Sequence, residues 1–482
     1  MMVFATAIVV VTFLISFNMF AIVPAAMRAI SLSREAVAVM GDKSLSDEQK
    51  ETAVQKAAIS MLGAAASIAW RIAAVLLACV AATELLGLVG FVESAELYAY
   101  MLRVDVIVVT SVAVVLILWL WAKIRPSGGA YSAMDQFLHR IAFAVPGLQT
   151  TASDIEDTIF KAKIDAAGKT APIFITSLPR AGTTVVLNAL NVTPNTATHL
   201  YRDMPFVMAP ILWGKFTATS RKDATLRERA HGDGLKIGFD SPEAFEEVIW
   251  KKFWPAHYRG ESIKVWDKDD KNAEFTAFMK QHMRKLVALR GGQGGRYLSK
   301  NNANIARLGM LEAVFPDADI VIPLRHPAEH AASLLRQHQN FLEQHAKDKF
   351  VRKYMRDIGH LEFGELHQPI AFPGFATRAQ GMKPDNPDYW LAYWIGAMEH
   401  VRNSGPEKYY ILPEAQLQKD SQRIMVRLCE GLGLDSRGIA FAKHIKWIPH
   451  RADPTVFDQE LLKEALELYG ALATKGKIAD AF

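Results

Sequence analysis

The hydrophobic positions divide the chain into two parts with different patterns. Up to residue 125 the chain contains three long apolar stretches, which predict membrane helices at about 3–26, 72–92 and 104–122. Each is close to the roughly 20 residues that an α-helix needs to cross a bilayer. Residues 1–27 contain no charged side chain, so the first stretch is more typical of a retained helix than of a signal peptide, which is the alternative.

The charges between these stretches predict how the membrane part is oriented. Five lysine and arginine residues lie in 28–56, whereas 93–105 contains Arg103 alone. Because basic loops remain in the cytoplasm, the first loop and everything after residue 122 are expected on the cytoplasmic side. We therefore expect an integral membrane protein, with the lipid bilayer as a partner.

After residue 125 short apolar runs alternate with amphipathic stretches. A linker and a helical lead-in are predicted for 126–170, and strand and helix patterns alternate over 171–482. Such alternation is typical of a parallel sheet covered by helices. The sequence therefore predicts an α/β fold, with a three-layer P-loop-type parallel sheet and helices on both faces, preceded by a membrane-helix region.

Composition narrows the classes of function. The chain has 482 residues and a net charge of +5, and it has no basic run with interleaved aromatic residues, so we expect no nucleic-acid partner. Cys79 and Cys429 have no motif spacing and predict two free thiols. We find no metal-binding motif and expect no metal. Nothing in the sequence predicts the oligomeric state.

The candidate chemistry begins in Pro172–Leu190, where a strand pattern leads through a short loop into a helix pattern at Thr183. A helix N-terminus presents backbone N–H donors and a partial positive charge, so this unit predicts an anion site. Arg180 can bind a phosphate through two hydrogen bonds, and Gly182 allows the backbone to approach it closely. An ATPase P-loop would have a lysine in place of Thr183.

The loop Pro179-Arg180-Ala181-Gly182-Thr183-Thr184 resembles the one that holds the 5′-phosphate in sulfotransferases that use 3′-phosphoadenosine 5′-phosphosulfate (PAPS), with arginine replacing the usual lysine. A second segment resembles their 3′-phosphate motif: Arg325, Pro327 and Ser333 match at the family spacing, and His326 replaces the usual Asp or Asn. The resemblance implies that PAPS is bound by Arg180, Ala181, Gly182, Thr183, Thr184, Arg325 and Ser333.

The resemblance also implies catalytic residues. Lys300 follows a predicted strand and matches the lysine that neutralises charge on the sulfonate, a role to which Arg180 also contributes. Asp203 is the favoured base, because 202–206 has the charge order and aromatic spacing of relatives that use a glutamate; an ion pair with Arg202 or a helix cap is the alternative. His231 is a second candidate, on a predicted loop with Gly232 and Asp233, which could orient it.

An acidic group, Glu243, Glu246 and Glu247, supplies further candidates for the base. The preceding Ser241-Pro242 is typical of a helix start, and this pattern favours a capping role for these carboxylates.

We therefore expect a sulfotransferase that moves a sulfonate group from PAPS to a hydroxyl or amine of a membrane-associated saccharide or lipid. One alternative is a non-catalytic membrane adaptor that binds PAPS or another nucleotide. Another is a nucleotide kinase with a degenerate P-loop. Because PAPS is made in the cytosol, the predicted topology fits a bacterial inner-membrane protein with a cytoplasmic catalytic domain.

Overall fold

The computed structural model describes residues 1–22, 25, 28–29, 32, 47–107, 109–110, 133–144, 147–217, 227–228, 236–238, 240–404, 409–445 and 452–475. The chain forms two compact units, Met1–Pro146 and Gly147–Phe482. Both cysteines are free thiols, and Cys429 is buried.

The first unit is helical where it is described. Its helices are α1 (Met2–Met19), α2 (Asp47–Leu88), α3 (Ser94–Met101) and α4 (Ala133–Ala144). Ala5 and Val9 of α1 form a small buried cluster with Leu97 of α3, and Cys79 of α2 packs against it. The apolar side chains of α1 and α2 therefore find part of their packing within this unit.

One helical segment in the described part of the chain, Ala58–Leu88, has the length and apolar composition to cross a membrane. It belongs to the continuous helix α2, which ends four residues before the predicted boundary at 92. A shorter apolar helix covers Met2–Phe17. Most of the predicted third span, 104–122, lies outside the described residues.

The second unit alternates helices and strands. Its strands are β1 (Ile173–Ile175), β2 (Thr196–Ala197), β3 (Arg227–Glu228), β4 (Lys236–Ile237), β5 (Arg296–Lys300), β6 (Asp319–Leu324) and β7 (Tyr409–Pro413). Its helices are α5 (Leu148–Ile159), α6 (Lys161–Ala166), α7 (Thr183–Asn191), α8 (Pro210–Thr217), α9 (Glu247–Phe253), α10 (Ala273–Leu286), α11 (Leu308–Val314), α12 (Pro327–Lys347), α13 (Lys349–Ile358), α14 (Phe375–Arg378), α15 (Pro387–Ser404), α16 (Glu414–Lys419), α17 (Ser421–Leu432) and α18 (Gln459–Lys475).

Five strands form a parallel sheet in the order β2-β5-β1-β6-β7, with helices on both sides, and β3 pairs with β4 in a separate antiparallel hairpin. The predicted α/β class with a parallel sheet is therefore confirmed. On one face, Ile173 and Ile175 of β1 pack in a core with Val186 of α7 and Met425 of α17. Fully burying an aliphatic side chain of this kind contributes about 1.5–3 kcal/mol.

Two elements differ from the sequence prediction. The second strand is only Thr196–Ala197, not the four residues 198–201. The helix predicted over 414–434 is two helices, α16 and α17, that meet at Asp420. The Asp420 carboxylate accepts a hydrogen bond from the Arg423 N–H at 3.0 Å, so it caps a new helix where the pattern had predicted a continuous one.

Candidate active site

The parallel register brings the predicted site residues to one edge of the sheet. Ile175, the last residue of β1, is aligned with Lys300 of β5 and with Val321 of β6. The loops that leave β1, β5 and β6 therefore begin next to one another. In open α/β sheets this carboxyl edge is where ligands bind.

The loop between β1 and α7 has the backbone of an anion site. Gly182 precedes α7 with a φ of 95°, a left-handed conformation that glycine adopts without a steric cost. Thr183 is buried at the helix start, and its Oγ1 donates to Asn302 Oδ1 at 3.0 Å. The Ser177 Oγ is completely buried and has no hydrogen-bond partner among the described residues. A buried hydroxyl of this kind is suited to an oxygen of a bound ligand.

Three of the predicted phosphate-binding residues lie together beside this loop. Arg180 adopts a φ of 72°, and its Nε donates to Ser333 Oγ at 3.4 Å. Arg325 Nη1 donates to the Arg180 carbonyl at 3.1 Å, while its Nε lies 3.1 Å from Glu414 Oε2. Burial raises the pKa of Glu414, although the charge of Arg325 opposes the shift. The cluster thus combines two guanidinium groups with one hydroxyl, a donor set that suits a phosphate.

A buried histidine on α12 forms a hydrogen bond with the same loop. His330 Nε2 lies 2.8 Å from the Pro179 carbonyl oxygen, so the ring nitrogen donates the hydrogen bond. Burial lowers the His330 pKa to about 3, and the ring is neutral near pH 7. The contact ties α12, which also contains Ser333, to the loop that contains Arg180.

Lys300, at the end of β5, lies 3.6 Å from Glu243 through its Nζ and the Oε1 of the carboxylate. The same carboxylate accepts hydrogen bonds from the Tyr201 hydroxyl and, at 2.8 Å, from the Ala244 N–H. Lys300 and Glu243 are both buried. A cation and a carboxylate are therefore paired at the same sheet edge as the phosphate loop.

Residues 172–368 match the family model described as "Sulfotransferase family". This segment belongs to the sulfotransferase family. The match includes both predicted phosphate motifs as well as Lys300 and Glu243. No curated protein matches the chain.

Several solved bacterial sulfotransferases are similar to this chain at 14% sequence identity. The structure from Mycobacterium avium gives a TM-score of 0.42 and covers 71% of this chain and 83% of its own. That from Mycobacterium tuberculosis gives 0.39, with 70% and 86% covered. A third, from Alicyclobacillus acidocaldarius, gives 0.31, with 63% and 95% covered.

In this chain the predicted helix start at Ser241 is wrong, because helix α9 begins at Glu247. Pro242 instead forms an antiparallel bridge with Leu200, and the Glu243 N–H donates to the His199 carbonyl at 3.0 Å. Glu243 is therefore not a helix cap. The backbone pairing of residues 242–243 with residues 199–200 positions the Glu243 carboxylate next to Lys300.

The other two glutamates have structural partners. Glu246 accepts from Trp250 Nε1 and from the Tyr297 hydroxyl, each at 2.9 Å. Glu247 is bound by both terminal nitrogens of Arg307, at 2.7 and 2.8 Å. Burial opposes ionisation of Glu247, but the charge of Arg307 prevails and keeps its pKa below the usual value.

Asp203 is 1% exposed, and both of its carboxylate oxygens are bound by Arg290, one of them at 3.0 Å. It also accepts from the Leu200 N–H at 2.9 Å. Burial opposes ionisation, but the hydrogen bond with His199 and the charge of Arg290 outweigh it and lower the Asp203 pKa. The expected ion-pair alternative is thus present with a different arginine, since Arg202 pairs with Asp240.

Local spacing does not predict two of these contacts, Arg290 with Asp203 and Glu243 with Lys300, because they join distant segments. His231, the second candidate base, lies outside the described residues.

Proposed function

We propose that this protein transfers a sulfonate group from PAPS to a hydroxyl or amine of a membrane-associated acceptor. The observation that supports this most directly is the cluster of Arg180, Arg325 and Ser333 beside the N-terminus of α7, at the same edge as Lys300. The donor carries phosphates at two separate positions, and the chain offers both a helix N-terminus and a pair of arginines.

In this proposal the loop of Arg180, Ala181, Gly182, Thr183 and Thr184 holds the 5′-phosphate, and Arg325 with Ser333 holds the 3′-phosphate. Backbone N–H groups at a helix start and charge-assisted hydrogen bonds are the usual means of binding such groups. The Ser177 hydroxyl, which has no hydrogen-bond partner in the part of the chain that the structure describes, supplies a further donor in this proposal.

The reaction requires one proton acceptor and one source of positive charge. As the bond between sulfur and the bridging oxygen of PAPS breaks, the electron pair leaves with adenosine 3′,5′-bisphosphate (PAP). In this proposal Lys300 neutralises that charge, and Arg180 contributes positive charge at the departing phosphate. The acceptor oxygen forms the new bond to sulfur and gives its proton to a carboxylate.

Two carboxylates are candidates for that base. Asp203 has the motif spacing, but both of its oxygens are engaged by Arg290. Glu243 lies 3.6 Å from Lys300, the residue expected next to the sulfonate. Because a base must first be in reach of the reacting group, we favour Glu243 and retain Asp203 as the alternative.

The first unit is proposed to anchor the enzyme in a bacterial inner membrane, with the catalytic unit in the cytoplasm. The support is the apolar helix Ala58–Leu88 together with the basic loop that precedes it. Anchoring would confine the enzyme to the surface where a lipid or a lipid-linked saccharide is found. Reporter fusions at the C-terminus test this, and alkaline phosphatase activity without green fluorescence would refute the orientation.

The function is tested with the full-length protein in membranes, using radiolabelled PAPS together with calorimetry of PAP binding. A transferase binds PAP and passes the label to an acceptor. Tight PAP binding without transfer to any lipid or saccharide fraction would support the adaptor. Phosphate transfer from ATP in preference to sulfonate transfer from PAPS would support the kinase.

A further inference from the structure

The ion pair between Arg325 and Glu414 follows from the pairing of two parallel strands. Leu324, the last residue of β6, is aligned with Pro413, the last residue of β7. Arg325 and Glu414 each come next in the chain, so the register places the guanidinium beside the carboxylate. Arg325 Nε lies 3.1 Å from Glu414 Oε2, and both side chains are buried. The arginine that the proposed function assigns to the 3′-phosphate therefore has a counter-charge within the protein.

The Glu414 carboxylate balances the charge of Arg325 without accepting its Nε–H. Despite the short distance, Arg325 Nε has no hydrogen bond of suitable geometry to any residue that the structure describes. The carboxylate is instead held by Gln418, whose Nε2 donates to Glu414 Oε1 at 3.0 Å from one turn further along α16. The guanidinium thus keeps a buried donor that a phosphate oxygen can accept, while the carboxylate stays close to it.

A second carboxylate adds negative charge around Glu414. Burial raises the pKa of Glu414, the charge of Arg325 lowers it, and Glu329, in the first turn of α12, adds a smaller upward shift. Burial and the same two carboxylates raise the pKa of the Tyr469 hydroxyl on α18, so that side chain is uncharged near pH 7. A phosphate bound by Arg325 would therefore lie beside a carboxylate, and like charges brought together weaken binding.

We propose that Glu414 sets the affinity of the donor site by opposing the 3′-phosphate at Arg325. The inference rests on the proposed use of PAPS, because PAPS and PAP carry the same 3′-phosphate. With the carboxylate in place the arginine still recognises that phosphate, but the product PAP is held less tightly and leaves more readily after each transfer. A ligand without a 3′-phosphate, such as adenosine 5′-phosphate, does not meet Glu414 and binds independently of it.

Calorimetry on the full-length protein, with PAP and adenosine 5′-phosphate as the ligands, tests this proposal. Glu414→Gln removes the charge and keeps the size of the side chain, and Glu414→Met is a second neutral variant, should the amide disturb folding. Glu414→Asp restores the charge at the same position. Glu430→Gln, at an exposed position of α17, is the matched control for the loss of one negative charge from the protein.

We expect Kd for PAP to fall at least about tenfold in the neutral variants of Glu414, because they remove a like charge from beside the phosphate. Kd for adenosine 5′-phosphate should stay unchanged. Glu414→Asp and Glu430→Gln should bind PAP much as the wild type does. Unchanged or weaker PAP binding in both neutral variants, or an equal gain for both ligands, would overturn the inference. A wild-type protein that fails to bind PAP would instead refute the proposed function.

Discussion

The two halves of the candidate site are built differently. The donor half lies on β1 and β6, and its main residues sit within two short stretches, 177–184 and 325–333. The other half combines Lys300 at the end of β5 with a carboxylate on a segment whose position depends on backbone pairing across more than 40 residues, from His199 to Glu243. The donor half of this candidate site is therefore encoded in two short sequence stretches. The other half, which we call the assembled half, depends on contacts between segments that are distant in the sequence.

This difference sets what the sequence can predict. Strand, loop and helix start follow each other without interruption around Gly182, so local pattern and chemistry agree there. Around Glu243 the local pattern indicates a helix cap, whereas the bridge between Leu200 and Pro242 overrides it. The four predictions below test this division, and the largest expected effect comes first.

Glu243→Gln should lower kcat by about two to four orders of magnitude, because the amide cannot accept the acceptor's proton. Kd for PAP, measured by calorimetry, should change little, since the carboxylate belongs to the assembled half. Glu246→Gln is a matched control, with a carboxylate that is bonded to Trp250 and Tyr297. A Glu243→Gln enzyme with near-normal kcat would exclude Glu243 as the base.

Asp203→Asn should act mainly on stability. The change leaves the partly buried Arg290 facing a neutral amide, and breaking a buried pair typically costs about 3–5 kcal/mol. Denaturant unfolding of the catalytic unit reports this loss. If stability is unchanged while kcat falls by orders of magnitude, Asp203 is the base. The local motif over 202–206 would then predict a residue of the assembled half as well.

Arg325→Ala should weaken PAP binding roughly tenfold or more, because a charge-assisted contact to a phosphate contributes about 1.5–3 kcal/mol. Arg402→Ala, at an exposed position of α15, is the matched control. Calorimetry with PAP and with adenosine 5′-phosphate separates the two phosphates. An equal loss for both ligands would contradict the assignment of Arg325 to the 3′-phosphate.

Acidification should destabilise the second unit through two neutral histidines, one of them in the donor half. Burial lowers the His330 pKa to about 3 beside the donor loop, and it lowers the His367 pKa to about 4 beside Trp390. Both folded-state values lie below the unfolded value of about 6.5, so the unfolded chain binds more protons as the pH falls. Stability should therefore decline from about pH 6.5 to about 4, by roughly 1.4 kcal/mol per pH unit for each histidine.

His367→Asn provides the comparison for this pH dependence. His367 Nδ1 lies 2.6 Å from the Glu362 carbonyl, and its Nε2 lies 2.8 Å from the Tyr389 hydroxyl. Removing the ring should reduce the slope of unfolding free energy against pH in this window. An unchanged slope would show that His367 does not contribute.

The sheet and most helices could be predicted because each has a continuous hydrophobic period. The division of the helix over 414–434 could not, since Asp420 interrupts it with a single cap. Arg290 could not be assigned to Asp203 for a similar reason: 87 positions separate them, and no spacing rule connects the short 3-10 helix Tyr201–Asp203 to the π-helical segment Val287–Gly291 that follows α10. Contacts between elements were the part that the sequence left open.

At position 180 the backbone conformation and the side-chain chemistry favour different residues. A φ of 72° favours glycine, and a side chain there costs on the order of 1 kcal/mol or more. The guanidinium is nevertheless what the donor half needs, since its Nε contacts Ser333. Replacement by glycine would therefore improve the backbone conformation and remove the charge in one step. Under the proposed function, position 180 is a place where activity and thermostability conflict, and selection for more stable variants would favour loss of the phosphate contact.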